Sequence, residues 1–175
     1  LVSHNSKADL EKFWPSILEN TDDFNVVIVD NGSDEETLKL LKNSAQKVIY
    51  QENKGYGSAC NAGARVTDSE FIVFLNCDLF ASKNWLPDLL KPFEDPAVAI
   101  TGARLFKPDG QEYPTPKEGF AVGCCFAVRR KLFEELGGFD ENFFLFFEET
   151  DFCVRAIEAG YKVIRSEARL IHYHP

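Results

Sequence analysis

Residues 25–40 read NVVIVDNGSDEETLKL. Four β-branched residues in a row, Val26 to Val29, show no polar alternation, which is the pattern of a strand buried on both faces. The run stops at Asp30, and Asn31, Gly32 and Ser33 follow as turn formers. Ser33 or Asp34 then stands where it caps a helix over residues 35–41. A buried strand feeding straight into a helix is half of a βαβ unit, and the rest of the chain repeats the theme.

On the N-terminal side, Leu1 and Val2 read as the tail of a strand, and residues 8–18 have a helical pattern that Pro15 is expected to break. On the C-terminal side, apolar runs at 48–50 and 71–75 predict strands, with a helix over 58–66 between them. Beyond Asn84 the pattern predicts a helix towards Leu90, a strand over 98–106, a KPDG turn at 107–110, a strand over 120–128 and a helix over 130–136. Gly137 and Gly138 lead into the aromatic segment FDENFFLFF, followed by a helix over 149–159 that Gly160 stops. The expected architecture is a Rossmann-like α/β sandwich of three layers around a mainly parallel mixed sheet. It forms a single domain over 1–175, read as cut from a longer chain at both ends.

Composition narrows the function classes. The chain has 175 residues, 45% of them hydrophobic, and a formal net charge of −9. No apolar stretch is long enough for a membrane-spanning helix, and the first residues lack the basic and apolar regions of a secretory leader. The five cysteines are odd in number and have no CxxC spacing, so they read as reduced core thiols of a cytoplasmic protein. The negative charge argues against a nucleic-acid partner, because such binding needs clustered Lys and Arg. An anionic ligand would need a local basic patch or a bridging cation.

Open α/β sheets bind ligands beyond the carboxyl ends of their strands, and two predicted strands end in acids. Asp30 either closes its turn or accepts a hydrogen bond from the imide N–H of a uracil or thymine ring. Asp78 ends FIVFLNCD, where it either caps the next helix or holds a divalent cation, Mg²⁺ or Mn²⁺, that lets a diphosphate lie beside carboxylates. The loop NKGYGSACNAG supplies Lys54 and two glycines, Gly55 and Gly57, before a helix start that favours an anion. Gly55 and Gly57 are followed by Cys60 rather than a third glycine, so this is not the dinucleotide fingerprint. Glu148, Glu149 and Asp151 crowd one helix start, a setting that raises a carboxyl pKa and suits a general base, for which Glu149 is the choice. Asp151 also pairs with Arg155 at i,i+4 spacing, a structural role. His172 is a candidate metal or phosphate ligand, ahead of His4 and His174.

The ordered set VSHN, VDNGSD, NKGYGSACNAG, FLNCD, GCCFAVRR, GGFDENFF, FEETDFCVR and IHYHP resembles the family 2 glycosyltransferases, in particular their rhamnosyltransferase-like branch, over essentially the whole chain. The resemblance implies a GT-A fold, a nucleotide-sugar donor, a divalent metal and inversion at the anomeric carbon by direct displacement. It places Asp30 on the base-binding acid. Ser3 and Asn5, the Lys54–Gly57 loop, Asn61 and Asn76 fall along the nucleotide. Asp78 falls on the metal-binding acid and His172 on a C-terminal His near the metal or diphosphate. Glu149 falls on the catalytic acid, with Glu148 in reserve, and residues 137–143 match a loop near the acceptor. Asn76 stands where a full DXD motif has its first acid, Cys77 where this branch often has Pro, and Glu149 is one methylene longer than the usual Asp.

The function expected is transfer from a UDP- or dTDP-sugar, dTDP-rhamnose being one such donor, to a saccharide or lipid-linked saccharide at the cytoplasmic side of a membrane. Peripheral association with that membrane is compatible with the composition. A catalytically silent nucleotide-sugar-binding scaffold is the alternative. A nucleotidyltransferase would need an N-terminal Gly-rich loop with Arg and Lys, which the sequence lacks.

Overall fold

The structure is a computed structural model and describes residues 1–44, 46–114 and 118–173. His174, the weaker histidine candidate, lies outside the described residues. The elements run β1 (Val2–Ser3), α1 (Lys7–Glu19), β2 (Val27–Asn31), α2 (Glu35–Lys42), β3 (Lys47–Gln51), α3 (Tyr56–Ala64), β4 (Phe71–Leu75), β5 (Leu79–Ala81), α4 (Trp85–Leu90), β6 (Val98–Phe106), β7 (Cys125–Arg129), α5 (Arg130–Glu135), α6 (Glu148–Glu158) and β8 (Lys162–His172).

The strands form a three-stranded sheet, β1-β2-β3, and a five-stranded sheet, β4-β7-β6-β8-β5. The first is wholly parallel. The second is mixed: β6 and β8 run parallel, while β4–β7, β6–β7 and β5–β8 are antiparallel. Parallel pairing thus makes up the whole of the first sheet and the long β6–β8 pair of the second, within the mixed arrangement expected from the βα repeats. In the second sheet β7 returns beside β6 in the antiparallel sense, with no helix among the described residues of the connection.

Strand periodicity sorts the side chains into layers. On β7, Phe126 and Val128 join a core with α3, α5 and α6 residues such as Cys60, Phe133 and Phe152. Cys125 and Ala127 point the other way, into a core with Ile17 of α1 and Trp85 and Leu89 of α4. Five phenylalanines knit the first core: Phe139 packs on Phe74, Phe126, Phe133 and Phe152 with ring centroids 4.9 to 6.0 Å apart. Each such pair adds about 0.5–1.5 kcal/mol beyond its buried area, so the loop carrying Phe139 is fixed to the body.

Three local expectations change. Pro15 does not break α1, which runs on to Glu19. The carbonyl left without a donor is that of Glu11, on the exposed side, while Leu10, Phe13 and Ile17 hold the opposite face in the core. The strand expected over 120–128 is confined to Cys125–Arg129. The eleven-residue β8, KVIRSEARLIH, was not anticipated as a strand; its inward positions include Ser166 and Ala168, which weaken the apolar alternation.

A cavity of about 290 Å³, lined by Val2, Val29, Ala59, Cys60, Ile72 and Phe74 among others, lies between the two sheets. It is apolar and contains neither Asp78 nor either member of the Glu148–Glu149 pair.

Candidate active site at the carboxyl edge of the sheets

The ends of β2, β1, β4 and β8 converge on one edge. Ser3 and Asp30 are register partners on neighbouring strands, and the Cys77 thiol donates to the Val2 carbonyl (3.0 Å), tying the end of β4 to β1. Ser3 is fully buried and Asp30 only 2% exposed, yet Ser3 Oγ and Asp30 Oδ1 have no hydrogen-bond partner among the described residues. Asp30 Oδ2 accepts only a long bond from the Ser33 backbone N–H (3.4 Å). Buried polar atoms normally find partners, so this pair suits a ligand that brings a donor to the carboxylate.

Asp34 caps α2 by accepting from the Thr37 N–H (2.8 Å). Asn5 accepts from the Asp34 N–H (2.8 Å), and His4 Nδ1 lies 2.9 Å from the Asn31 carbonyl oxygen. Both side chains therefore brace the β2 turn. The Asn31 side chain, which sequence reading treated only as a turn former, is a buried hub. It donates to Asn53 Oδ1 (2.9 Å) and the Gly55 carbonyl (3.2 Å), and it accepts from Gln51 (2.9 Å) and the Lys54 N–H (3.3 Å).

That hub sets the course of the Lys54–Gly57 loop, whose task differs from the one expected. Gly55 has φ +97° and a side chain there would meet the Phe144 carbonyl oxygen at 2.4 Å. The Tyr56 N–H, first in α3, donates to the same carbonyl (2.9 Å). Gly57 faces Phe139 and Glu148, with contacts of 3.2 and 3.5 Å to an added Cβ. Both glycines thus admit the 139–148 segment. Lys54 stays exposed.

Asn61 is likewise committed elsewhere. Its amide donates to the Phe139 carbonyl (3.0 Å) and to Glu141 (2.9 Å), and its oxygen accepts from the Phe139 N–H (2.9 Å). A 4%-exposed side chain spent in this way anchors the loop over 137–141, with both amide donors engaged and one lone pair of its oxygen left over. Asp151 pairs with Arg155 (2.7 Å), and Arg155 in turn donates to the Leu136 and Gly138 carbonyls. Its carboxylate is a structural clamp on the same loop.

At the end of β4, the Asn76 N–H donates to the Cys124 carbonyl (2.9 Å). Antiparallel pairing sets Leu79 opposite His172, which brings Asp78 Oδ2 within 3.0 Å of His172 Nε2, both side chains only about one-eighth exposed (13% and 12%). Neighbouring ligands on an octahedral ion at about 2.1 Å lie about 3 Å apart, so the pair has the spacing of two adjacent donors. Among the described residues no group of three or more His, Cys, Asp or Glu converges on one point. A two-donor set suits Mg²⁺ or Mn²⁺, which take one or two protein ligands and fill the rest of their shell with phosphate oxygens and water.

Glu148 and Glu149 open α6 but face different surroundings. Glu148 is 3% exposed, its Oε2 has no partner, and burial pushes its carboxyl above the ordinary range. The raised carboxyl anticipated for this cluster is therefore found at Glu148. Glu149 is half-buried and rests against Gly123, with Oε1 accepting from the Thr150 hydroxyl (3.1 Å). Next to Gly123, the Cys124 thiol is pushed up to about 12, by burial first, then by the nearby Asp78 and Glu149 carboxylates. The Asn76 N–H meets the Cys124 carbonyl and Glu149 lies beside the adjacent Gly123, which sets Asp78 and Glu149 along the same rim. Beside them Phe144, Leu145, Phe146 and Phe147 are 54 to 68% exposed, with Phe146 and Phe147 at positive φ.

The α/β sandwich that carries these acids on a single edge has the GT-A fold of glycosyltransferase structures. Two solved structures align with it at a TM-score of 0.82: a mannosyltransferase from Pyrobaculum calidifontis in complex with GDP-Man and Mn²⁺, and GalNAc-T7 with UDP, GalNAc and Mn²⁺. The first is 18% identical and covers 99% of this chain and 55% of its own; the second is 21% identical and covers 99% and 43%. The chain belongs to Glycosyl transferase family 2, whose profile matches residues 1–116. Residues 109–175 are similar to the N-terminal domain of galactosyltransferase.

Relatives include the O-antigen chain rhamnosyltransferase WbaN of Salmonella anatum, 29% identical over 85% of this chain and 56% of its own. A low-salt glycan biosynthesis hexosyltransferase, Agl10, of Haloferax volcanii is 25% identical over 89% of this chain and 60% of its own. The O-antigen biosynthesis protein RfbC of Myxococcus xanthus is 26% identical over 86% of this chain but only 15% of its own length. The chain thus spans 15 to 60% of these three relatives. No helix among the described residues is long and apolar enough to cross a membrane.

Proposed function

We propose that this chain carries the catalytic centre of an inverting, metal-dependent glycosyltransferase that uses a UDP- or dTDP-sugar. The observation that carries the reading is the pair of separate acid stations on one edge, the Asp78–His172 pair and Glu149, brought together at the adjacent Gly123 and Cys124. Asp30 Oδ1, buried and without a partner, accepts the imide N–H of the pyrimidine, with Ser3 beside it. Asp78 and His172 would hold Mg²⁺ or Mn²⁺, which neutralises charge on the departing diphosphate. Glu149 takes the proton of an acceptor hydroxyl as its oxygen forms the new bond to C1 and the bond to the diphosphate oxygen breaks on the opposite face.

The exposed apolar rim at 144–147 supports an acceptor that brings apolar surface with it, a saccharide on a lipid carrier reached peripherally at the cytoplasmic side of a membrane. Rhamnose as the sugar is supported by the kinship to an O-antigen chain rhamnosyltransferase. The test is transfer from dTDP-rhamnose, UDP-hexoses and GDP-mannose to lipid-linked and free saccharides with Mn²⁺ or Mg²⁺. Transfer from a uracil or thymine donor is expected. Transfer from GDP-mannose alone would refute the assignment of Asp30, and binding without transfer or donor hydrolysis across the panel would leave the scaffold reading in its place.

A further inference from the structure

We infer that Gly123 and Tyr56 form the seat of the Glu149 carboxylate, as positioning residues that act on transfer only through that acid; the inference rests on Glu149 being the base. A Cβ built on Gly123 lies 3.3 Å from Glu149 Cδ and 3.4 Å from Cγ and Oε2. Non-bonded carbons settle at about 3.5–4.0 Å, so a methyl group there would push the acid back by a few tenths of an ångström. Gly123 is not among the positive-φ glycines, which means its backbone would accept an L side chain. What excludes one is Glu149 itself.

Tyr56 holds that seat from behind. Its hydroxyl donates to the Gly123 carbonyl (3.2 Å), and its backbone N–H donates to the Phe144 carbonyl (2.9 Å). The same residue therefore grips the peptide beneath the acid and the segment that leads into the acid's helix. Burial holds the Tyr56 phenol far above its ordinary range, so it remains a neutral donor at working pH. The approach also has a length condition: the Cγ–Cδ end of Glu149 occupies the space beside Gly123 where a Cβ would stand, and an acid one methylene shorter would lose the nearest of these atoms, Cδ.

The experiment measures kcat, KM and donor Kd for the full chain carrying G123A, Y56F, E149D and G123A/E149D, with thermal unfolding as a control on folding. G123A is expected to lower kcat about 10- to 100-fold, the scale of a small misplacement of a reacting group, while donor Kd stays within about twofold, because Asp30, Asp78 and His172 are untouched. Y56F is expected to lower kcat in the same sense by a smaller factor. In the E149D background, adding G123A should change kcat by a clearly smaller factor than in the wild type, since the nearest atom, Cδ, is gone and the two substitutions are coupled.

A wild-type kcat in G123A overturns the seat, as does a G123A penalty of equal size in both backgrounds. If E149D turns over too slowly to measure, the G123A/Y56F pair decides: penalties that multiply fully contradict a shared target, and a combined penalty short of the product supports it. E149Q separates the two levels of the reading. Full turnover in E149Q removes Glu149 as the base, whereas an inactive E149Q beside an unimpaired G123A removes only the seat.

Discussion

Asp78 Oδ2 and His172 Nε2 meet at 3.0 Å because β5 and β8 pair with Leu79 opposite His172, and the Tyr173 N–H closes the junction on the Asp78 carbonyl (3.2 Å). Residues from the middle and the end of the sequence thereby become one donor pair at the end of β4.

Replacing Asp78 by Asn keeps the shape and removes the charge that a cation needs. The D78N substitution should weaken Mn²⁺-supported nucleoside-diphosphate binding at least about 10-fold, and H172A by a similar or smaller factor, within the 10–100-fold range typical of metal-site changes. Titrating Mn²⁺ at fixed nucleotide checks this, and unchanged midpoints in both variants would remove the pair as the metal station.

Glu149→Gln keeps the volume of the side chain and removes the proton acceptor. Loss of general-base catalysis costs about 10²–10⁴ in kcat, with donor affinity retained because the donor's contacts lie at Asp30 and Asp78. Steady-state transfer assays beside donor calorimetry read both quantities, and a parallel fall in donor affinity would mean that Glu149 touches the donor instead.

Glu148 gives a pH-dependent signature. Burial raises its carboxyl above the ordinary value of 4.5, so the folded state binds its proton more tightly than the unfolded state does. The stability tied to that proton is fully present below the unfolded value and is lost as pH rises through the folded value. Glu148→Gln should therefore raise Tm at neutral pH by a few degrees, corresponding to about 1 kcal/mol, and the gain should vanish towards pH 4. Thermal unfolding across that range reads it; a gain that grows on acidification would contradict the assignment.

Asn61→Ala strips three hydrogen bonds from the loop over 137–141 and leaves the Phe139 N–H and carbonyl buried without partners. Leaving such groups unsatisfied costs about 1–3 kcal/mol, visible as a lower denaturation midpoint. Donor affinity should be unchanged in the folded protein, since the amide serves the loop; a selective loss of nucleotide binding would restore its expected role at the nucleotide.

Much of this is written in local sequence. The NVVIVD run and its Asp34 cap, the helix ending at Gly160 and the strand over Val98–Phe106 all follow from periodicity and turn chemistry, and they fix the edge where Asp30 and Asp78 stand. What escaped depends on tertiary partners. Pro15 sits inside α1 because the opposite helix face is buried, and β8 hides behind inward Ser166 and Ala168. Gly55 and Gly57 are signals of close approach, yet only the fold shows that Phe144, Phe139 and Glu148 are what approaches. Asn61, Tyr56 and Gly123 carried no periodic signal at all, since a buried hydrogen bond between distant segments leaves no trace in spacing.

The central claim is that an acid-lined edge accepts a nucleoside diphosphate through a divalent ion held at Asp78 and His172. Calorimetric titration of UDP and dTDP into the protein tests it most directly, first with saturating Mn²⁺ and then with a chelator in excess. The account predicts binding with Mn²⁺, its loss with the chelator and its loss in D78N. Equal affinity with and without the metal, or no binding of either nucleotide at saturating Mn²⁺, would contradict it.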